Sequence, residues 1–257
     1  MVSVAEHRSG GGALNNRNRR ALITVGVIWA IATAVAEYLA VTIDLHPFGA
    51  SREARIIDEA FDLLLYLAVP VFTFVVVVVG YSIARHRAGS DDELDGPPIR
   101  TNRAFVVAWM VVTSILTVLL IIPGFVGLDK LAAEPDPDMV IDVQAEQWNW
   151  TFTYVGSGLT TEDTLVLPVD TRIKFRITAT DVIHSFWIPA FRIKQDAVPG
   201  QVTETLVTPE VIGSFGDDPV MRVQCAELCG LGHARMWTKV EVMSRADFDA
   251  WIAAAGA

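Results

Sequence analysis

Two stretches of this chain carry no charge at all, Leu63 to Ala84 and Ala104 to Leu128. Each exceeds the ~20 residues a helix needs to cross a bilayer. Backbone groups in hydrocarbon must be satisfied within their own segment, so such runs cross as helices. A third apolar run, Ala21 to Ile43, is interrupted only by Glu37. It reads either as a retained transmembrane helix or as a secretory signal, with Arg17, Arg19 and Arg20 in front and Ala34-Val35-Ala36 as a cleavage site. The run is longer than the usual signal core of ~7–15 residues, which favours retention. The expected organisation is a cytoplasmic tail (1–20), a transmembrane helix or signal peptide (21–43) and a transmembrane helical hairpin (44–128).

Arginine placement orients the anchor. Arg8, Arg17, Arg19 and Arg20 precede the first run, and Arg85, Arg87, Arg100 and Arg103 lie between the second and third. The segment between the first and second has only Arg52 and Arg55. Arginine excess marks the cytoplasmic side, so the third run exits outward and places the C-terminal half of the chain outside the membrane. The same orientation holds if the first run is cleaved.

From Asp129 onward charges are frequent. Residues 129–257 hold 19 acids and 10 bases, so they carry nearly all of the chain's net charge of −10. An acidic surface suits solubility and can also steer a basic partner. It argues against nucleic acid, which calls for a basic patch. After a stiff polar linker, Ala133 to Asp138, Val140 to Tyr154 alternates as β with a change of parity. Ile141, Val143 and Ala145 share one face; Trp148, Trp150, Phe152 and Tyr154 share the other parity. A β-bulge near Glu146-Gln147 would keep one buried face. Thr164 to Val169, Thr171 to Thr178, Gln201 to Thr208, Val220 to Cys225 and Trp237 to Met243 complete the expected strands. Turn chemistry such as Pro199-Gly200 separates them. Short strands with regular turns predict an all-β sandwich or barrel over 129–243. In the last segment, 244–257, Ser244-Arg245-Ala246-Asp247 is a capping box that opens a short helix through Trp251.

The chemistry concentrates in Cys225-Ala226-Glu227-Leu228-Cys229-Gly230-Leu231-Gly232-His233-Ala234-Arg235-Met236, which holds both cysteines of the chain. An exported pair of cysteines reads first as a disulfide, although a four-residue spacing makes a tight loop. Zinc is a second reading, with Cys225, Cys229, His233 and the upstream His184 as a tetrahedron, but it leaves Met236 without a role. Thiolate, imidazole and thioether together are the ligands that select copper. A mononuclear blue site needs one thiolate, and here there are two. Two thiolates can bridge two coppers, each then taking one imidazole and one weak axial ligand. That arrangement suits electron transfer, and no open position for a substrate is evident.

This loop, together with Asp181-Val182-Ile183-His184-Ser185-Phe186-Trp187-Ile188-Pro189 and the downstream Lys194, Asp196 and Pro199-Gly200, resembles the copper A motif of cytochrome c oxidase subunit II. The resemblance spans nearly the whole chain and implies a membrane anchor followed by a cupredoxin-like Greek-key β-barrel. It implies His184, Cys225, Cys229, His233 and Met236 as side-chain ligands of a dinuclear copper A centre, with the backbone carbonyl of Glu227 as the remaining one. The Glu227 carboxylate would help bind magnesium or manganese at the interface with a haem-bearing catalytic subunit I. Trp148, in Gln147-Trp148-Asn149-Trp150, becomes the electron entry point beneath a bound cytochrome c, with Trp150 as core and Asp181 as a docking acid. The implied activity is electron entry into a proton-translocating oxidase at the plasma membrane, with the copper domain on the outer side.

The chain also departs from the family pattern. Glu146 stands where His is usual, and Arg222-Val223 stand where an aromatic and Gly often precede Gln-Cys. Val106 occupies the spacing before Trp109 at which many members carry a proton-channel Glu, so no proton-entry role is assigned. No Cys-x-x-Cys-His occurs, so no covalent haem is expected. Two other readings stay open: a copper A subunit serving a nitric oxide reductase or another donor, and a membrane-tethered copper-binding module without an enzyme partner.

Overall fold

The computed structural model describes residues 16–85, 102–132 and 136–255. Most of the expected tail, the connector bearing Arg87 and Arg100, and the start of the 133–138 linker lie outside them. The chain divides into two compact units, one of residues up to Asp44 with Leu63–Leu116, the other of Leu45–Asp62 with Thr117 onward.

Three helices, α1 (Asn16–Thr42), α2 (Arg52–Arg85) and α3 (Arg103–Ala132), are long and apolar enough to cross a membrane. Large side chains such as Ile31, Phe72, Val111 and Ile122 are exposed all round them. A helix without a polar face is at home only in lipid or a protein interior. Within the first unit, the Trp29 indole N–H donates to the Pro70 carbonyl at 2.9 Å, and the Thr33 and Thr73 hydroxyls bond at 2.7 Å. Polar links of this kind join helices where hydrocarbon offers no competing partner. Pro70 sits inside α2, as a membrane helix tolerates.

The second unit is built on β1 (Met139–Glu146), β2 (Asn149–Tyr154), β3 (Thr160–Thr161), β4 (Thr164–Pro168), β5 (Ile173–Ala179), β6 (His184–Ile188), β7 (Ile193–Ala197), β8 (Thr203–Val207), β9 (Gly213–Ser214), β10 (Arg222–Cys225), β11 (Trp237–Met243) and α4 (Arg245–Ala255). One sheet has the order β3-β2-β1-β5-β8; the other is β4-β11-β10-β6-β7, with β9 also paired to β11. The β1–β5 and β4–β11 pairs are parallel and the rest antiparallel. This two-sheet, crossover-connected sandwich is the expected cupredoxin-like domain behind membrane helices.

The parity change in 140–154 has a different cause from the expected bulge. The chain reverses, β1 pairs antiparallel with β2, and Glu146 lies opposite Asn149. Gln147 and Trp148 form the two-residue turn between them. A hairpin and a bulge both shift the alternation, but the hairpin puts Trp148 at the tip, 39% exposed, while Trp150, Phe152 and Tyr154 are buried. β6 and β7 are strands that the sequence alternation does not mark. α4 continues past Trp251 to Ala255, behind the expected cap in which the Ser244 hydroxyl accepts the Asp247 N–H at 3.1 Å.

Trp150, Phe152, Phe175, Phe186 and Ile177 fill the space between the sheets at 0–1% exposure. Each such side chain is worth about 1.5–3 kcal/mol in burial. Tyr154 bonds to both the N–H and the C=O of Val166 at 2.9 Å, tying β2 of one sheet to β4 of the other. Burial pushes its phenol up to about 12, against the lowering effect of those bonds. The first turns of α2 belong to this unit too. The Ser51 hydroxyl caps them by accepting the Ala54 N–H at 3.1 Å, Glu53 accepts the Thr208 N–H at 2.9 Å, and Asp58 receives a forked pair of bonds from Arg192 at 2.9 Å each.

Candidate metal centre

β6 and β10 set the floor of the site. They pair through Cys225–Phe186 and Gln224–Trp187, which brings His184, at the start of β6, beside Cys225, at the end of β10. Two backbone bonds close the mouth of the loop after β10: Cys225 N–H to the Met236 carbonyl at 2.9 Å and Ala226 N–H to the Ser185 carbonyl at 3.0 Å. His184, Cys225, Cys229 and Met236 are all buried, His184 completely. The loop then turns back on itself. Gly230 adopts φ +115°, a conformation open to glycine, and a short 3-10 turn, His233–Arg235, comes next.

The donor atoms converge. Cys225 Sγ lies 3.7 Å from Cys229 Sγ and 3.9 Å from His184 Nδ1. Cys229 Sγ lies 3.6 Å from His233 Nδ1 and 3.8 Å from Met236 Sδ. The Cys225 thiol also points at the Glu227 carbonyl, 3.1 Å away. Both cysteines are free thiols; a disulfide needs sulfurs about 2.05 Å apart. Each residue the sequence singled out as a ligand therefore lies in one cluster, and the Nδ1 atom of each imidazole faces a sulfur. Two thiols, two imidazoles, a thioether and a carbonyl form a soft-to-borderline set that fits copper; Met236, buried against Cys229, has no place in a zinc tetrahedron. Burial and then the neighbouring Cys225 thiol push the Cys229 thiol up to about 11, so uncomplexed it is a neutral thiol.

Asp181, expected as a docking acid, is exposed and also hydrogen-bonded within the domain. Its Oδ1 lies 2.9 Å from His184 Nε2 and 2.6 Å from the Val182 N–H, and its Oδ2 accepts the Gln147 N–H at 2.7 Å. Slight burial works against its ionisation, but the bonds from His184, Val182 and Gln147 prevail and hold its carboxyl below the usual range. A carboxylate on Nε2 leaves the Nδ1 lone pair of His184 free to ligate. Glu227 exposes its carboxylate to solvent while its carbonyl faces inward.

Trp148 covers the outer side. Its indole N–H donates to the Cys229 carbonyl at 3.3 Å, and the Gln147 side-chain amide donates to the same oxygen at 2.7 Å. Trp150 lies beneath, with its ring edge-on to His184 at 6.3 Å. Gln147 was not among the expected site residues. Its adjacency to Trp148 was the available signal, but only the hairpin turn aims its amide at the loop.

Comparison with known proteins gives a consistent set of likenesses. The family model described as "Cytochrome C oxidase subunit II, periplasmic domain" matches residues 156–243. A "Cytochrome c oxidase subunit 2" from Thermostichus vulcanus is 29% identical over 89% of this chain and 83% of its own length. A "Probable cytochrome c oxidase subunit 2" from Rickettsia bellii is 30% identical over 75% of this chain and 76% of its own. Among solved structures, the periplasmic domain of subunit II of cytochrome oxidase from Bradyrhizobium japonicum aligns at 30% identity over 47% of this chain and 95% of that one, with a TM-score of 0.43.

Proposed function

The chain belongs to the cytochrome c oxidase subunit II family, and from that premise we propose that it is the electron-entry subunit of a respiratory haem–copper oxidase in the plasma membrane. It accepts electrons from cytochrome c and passes them to haem in a separate catalytic subunit, where dioxygen is reduced to water. The observation that carries this reading is the convergence of Cys225 and Cys229, as free thiols 3.7 Å apart, with His184, His233 and Met236.

When bound, a dinuclear copper A centre supplies a one-electron relay whose charge change is spread over two metals. The side chains of His184, Cys225, Cys229, His233 and Met236 and the Glu227 carbonyl would hold it. Asp181 keeps the His184 proton on Nε2 and so presents Nδ1 to the metal. The sandwich core and the closure of the loop bury the sulfurs and fix their backbones. Trp148, exposed and bonded to the Cys229 carbonyl, offers a π-system between the protein surface and a ligand residue. The acidic outer domain attracts a lysine-rich donor and raises its encounter rate. The outward Glu227 carboxylate is a hard oxygen ligand suited to magnesium or manganese at the junction with the catalytic subunit.

The test is electron paramagnetic resonance of the full-length chain, reduced and reconstituted with copper in detergent. A seven-line mixed-valence signal is expected. A four-line signal, or a Cys225–Cys229 disulfide that refuses metal, would overturn the reading. In the assembled oxidase, Trp148→Phe is expected to slow electron entry from cytochrome c by about tenfold or more while leaving the copper signal intact. Unchanged turnover would remove Trp148 from the route.

A further inference from the structure

Between ligands Cys229 and His233 the chain reads Gly230-Leu231-Gly232, and the two glycines are needed for different reasons. Gly230 is required by its backbone, at φ +115°. Gly232 has an ordinary φ of −89° that any residue adopts. What it needs is space. A Cβ placed there would lie 2.2 Å from Cδ2, 2.5 Å from Cγ and 2.6 Å from Cε3 of Trp148, where contacts under 3.0 Å are essentially never seen. Cγ, Cδ2 and Cε3 run along one side of the indole, so the ring lies directly against the backbone at Gly232. The same indole donates to the Cys229 carbonyl, and Gln147 donates to that oxygen at 2.7 Å. A Cβ on Gly230 would come within 3.1 Å of that Gln147 amide. Leu231, between the glycines, is 99% exposed and contributes nothing to the contact.

We propose that Gly232 is a positioning residue for electron entry: by having no side chain it seats the Trp148 indole on the ligand loop, and Gln147 clamps that seat through the Cys229 carbonyl. The proposal rests on the reading of Trp148 as the entry point. The step it would serve is a one-electron transfer from the ferrous haem of the donor to an oxidised copper pair held by the donor side chains; no bond would form or break and no proton would move. Electronic coupling falls steeply with each added ångström of gap, so an indole pushed off its seat transfers more slowly although every copper ligand is unchanged. A methyl group at residue 232 faces Trp148 and leaves the donor set untouched.

The experiment compares Gly232→Ala, Trp148→Phe and the double variant, in full-length copper-loaded chain and in assembled oxidase. Gly232→Ala is expected to slow electron entry from cytochrome c about tenfold, with copper content and the seven-line signal unchanged. In the Trp148→Phe background the same substitution should slow entry no further, because there is no indole left to displace. An independent readout is acrylamide quenching of the Trp148 emission, taken as the difference between each protein and its Trp148→Phe counterpart; Gly232→Ala should make that emission more accessible. Gln147→Ala should act in the same direction. Unchanged entry and quenching in Gly232→Ala would overturn the proposal, as would loss of the seven-line signal, which would mean that the glycine serves the ligand loop itself. If Trp148→Phe does not slow entry, the entry reading fails, and the quenching difference still reports separately whether the seat exists.

Discussion

The inner and outer halves of the candidate metal centre are held together by different forces. On the inner side, His184, Cys225 and Met236 hang from β6, β10 and the residue before β11, and ladder hydrogen bonds fix their backbones. On the outer side, Gly230, Leu231, Gly232 and His233 have no ladder. Local backbone bonds of the short 3-10 turn fold them, and the Gln147–Trp148 turn packs against them through two bonds to one carbonyl and an indole laid on a glycine. Cys229 belongs to both halves. A ladder tolerates a changed side chain, because the backbone stays paired; a packed contact at van der Waals distance does not tolerate an added methyl group. The inner half should therefore respond to changes in donor chemistry, and the outer half to changes in volume.

The largest effect is expected where the halves meet. Cys229→Ser removes a thiolate common to both, and the seven-line signal should disappear altogether; a retained mixed-valence signal would show that Cys225 alone suffices to bridge. Asp181→Ala tests the link between the halves, since one carboxylate holds both His184 and the Gln147 N–H. Copper affinity in the full-length chain should fall about 10–100-fold, the usual cost of losing a partner that orients a ligating imidazole. Equal affinity would mean that burial alone orients His184.

A smaller effect is expected beneath both halves. Tyr154→Phe leaves the N–H and C=O of Val166 without their side-chain partner, which should cost about 1–3 kcal/mol of unfolding stability. The pH dependence carries a sign. Folding raises the phenol from 10.0 to about 12, so the stability this provides is intact below the unfolded value and is lost as pH rises through the folded one. Between pH ~10 and ~12 the parent protein should therefore lose roughly 2 kcal/mol more than Tyr154→Phe, as measured by denaturant titration. If both titrate alike, Tyr154 is not the group responsible. The smallest effect belongs to the outermost residue. Leu231→Ser should change stability by no more than about 0.5 kcal/mol and leave copper content unchanged, since the side chain is almost fully exposed. A larger loss would show that the rim is packed more tightly than its exposure implies.

Much of this was legible in the residues alone. Uncharged runs beyond about 20 residues specify membrane helices because the hydrophobic requirement is local and additive along the chain. The candidate donor cluster was equally legible, since four of its five side chains lie within twelve consecutive residues, and ligand softness is a property of the residue type. The alternation of Ile173, Phe175 and Ile177 gave β5 its buried face directly. The parity change at Glu146-Gln147 was visible but ambiguous, because a bulge and a hairpin shift the alternation in the same way. Only the pairing of β1 with β2 separates them, and pairing is a contact between segments.

The same limit applies to Asp181, Gln147 and Gly232. From composition and spacing, Asp181 was an acid on an acidic surface, Gln147 a neighbour of a tryptophan, and Gly232 one of two loop glycines. Folding brings Asp181 onto His184 and the turn, aims Gln147 at the Cys229 carbonyl across 82 positions of sequence, and lays an indole where residue 232 has no room for a side chain. The sequence by itself determined which atoms could hold a metal and on which side of a membrane they would lie, because ligand chemistry and hydrophobicity are carried by each residue independently. The tertiary structure decided which groups hold those atoms in place, because hydrogen bonds and steric fit exist only between segments that folding has brought together.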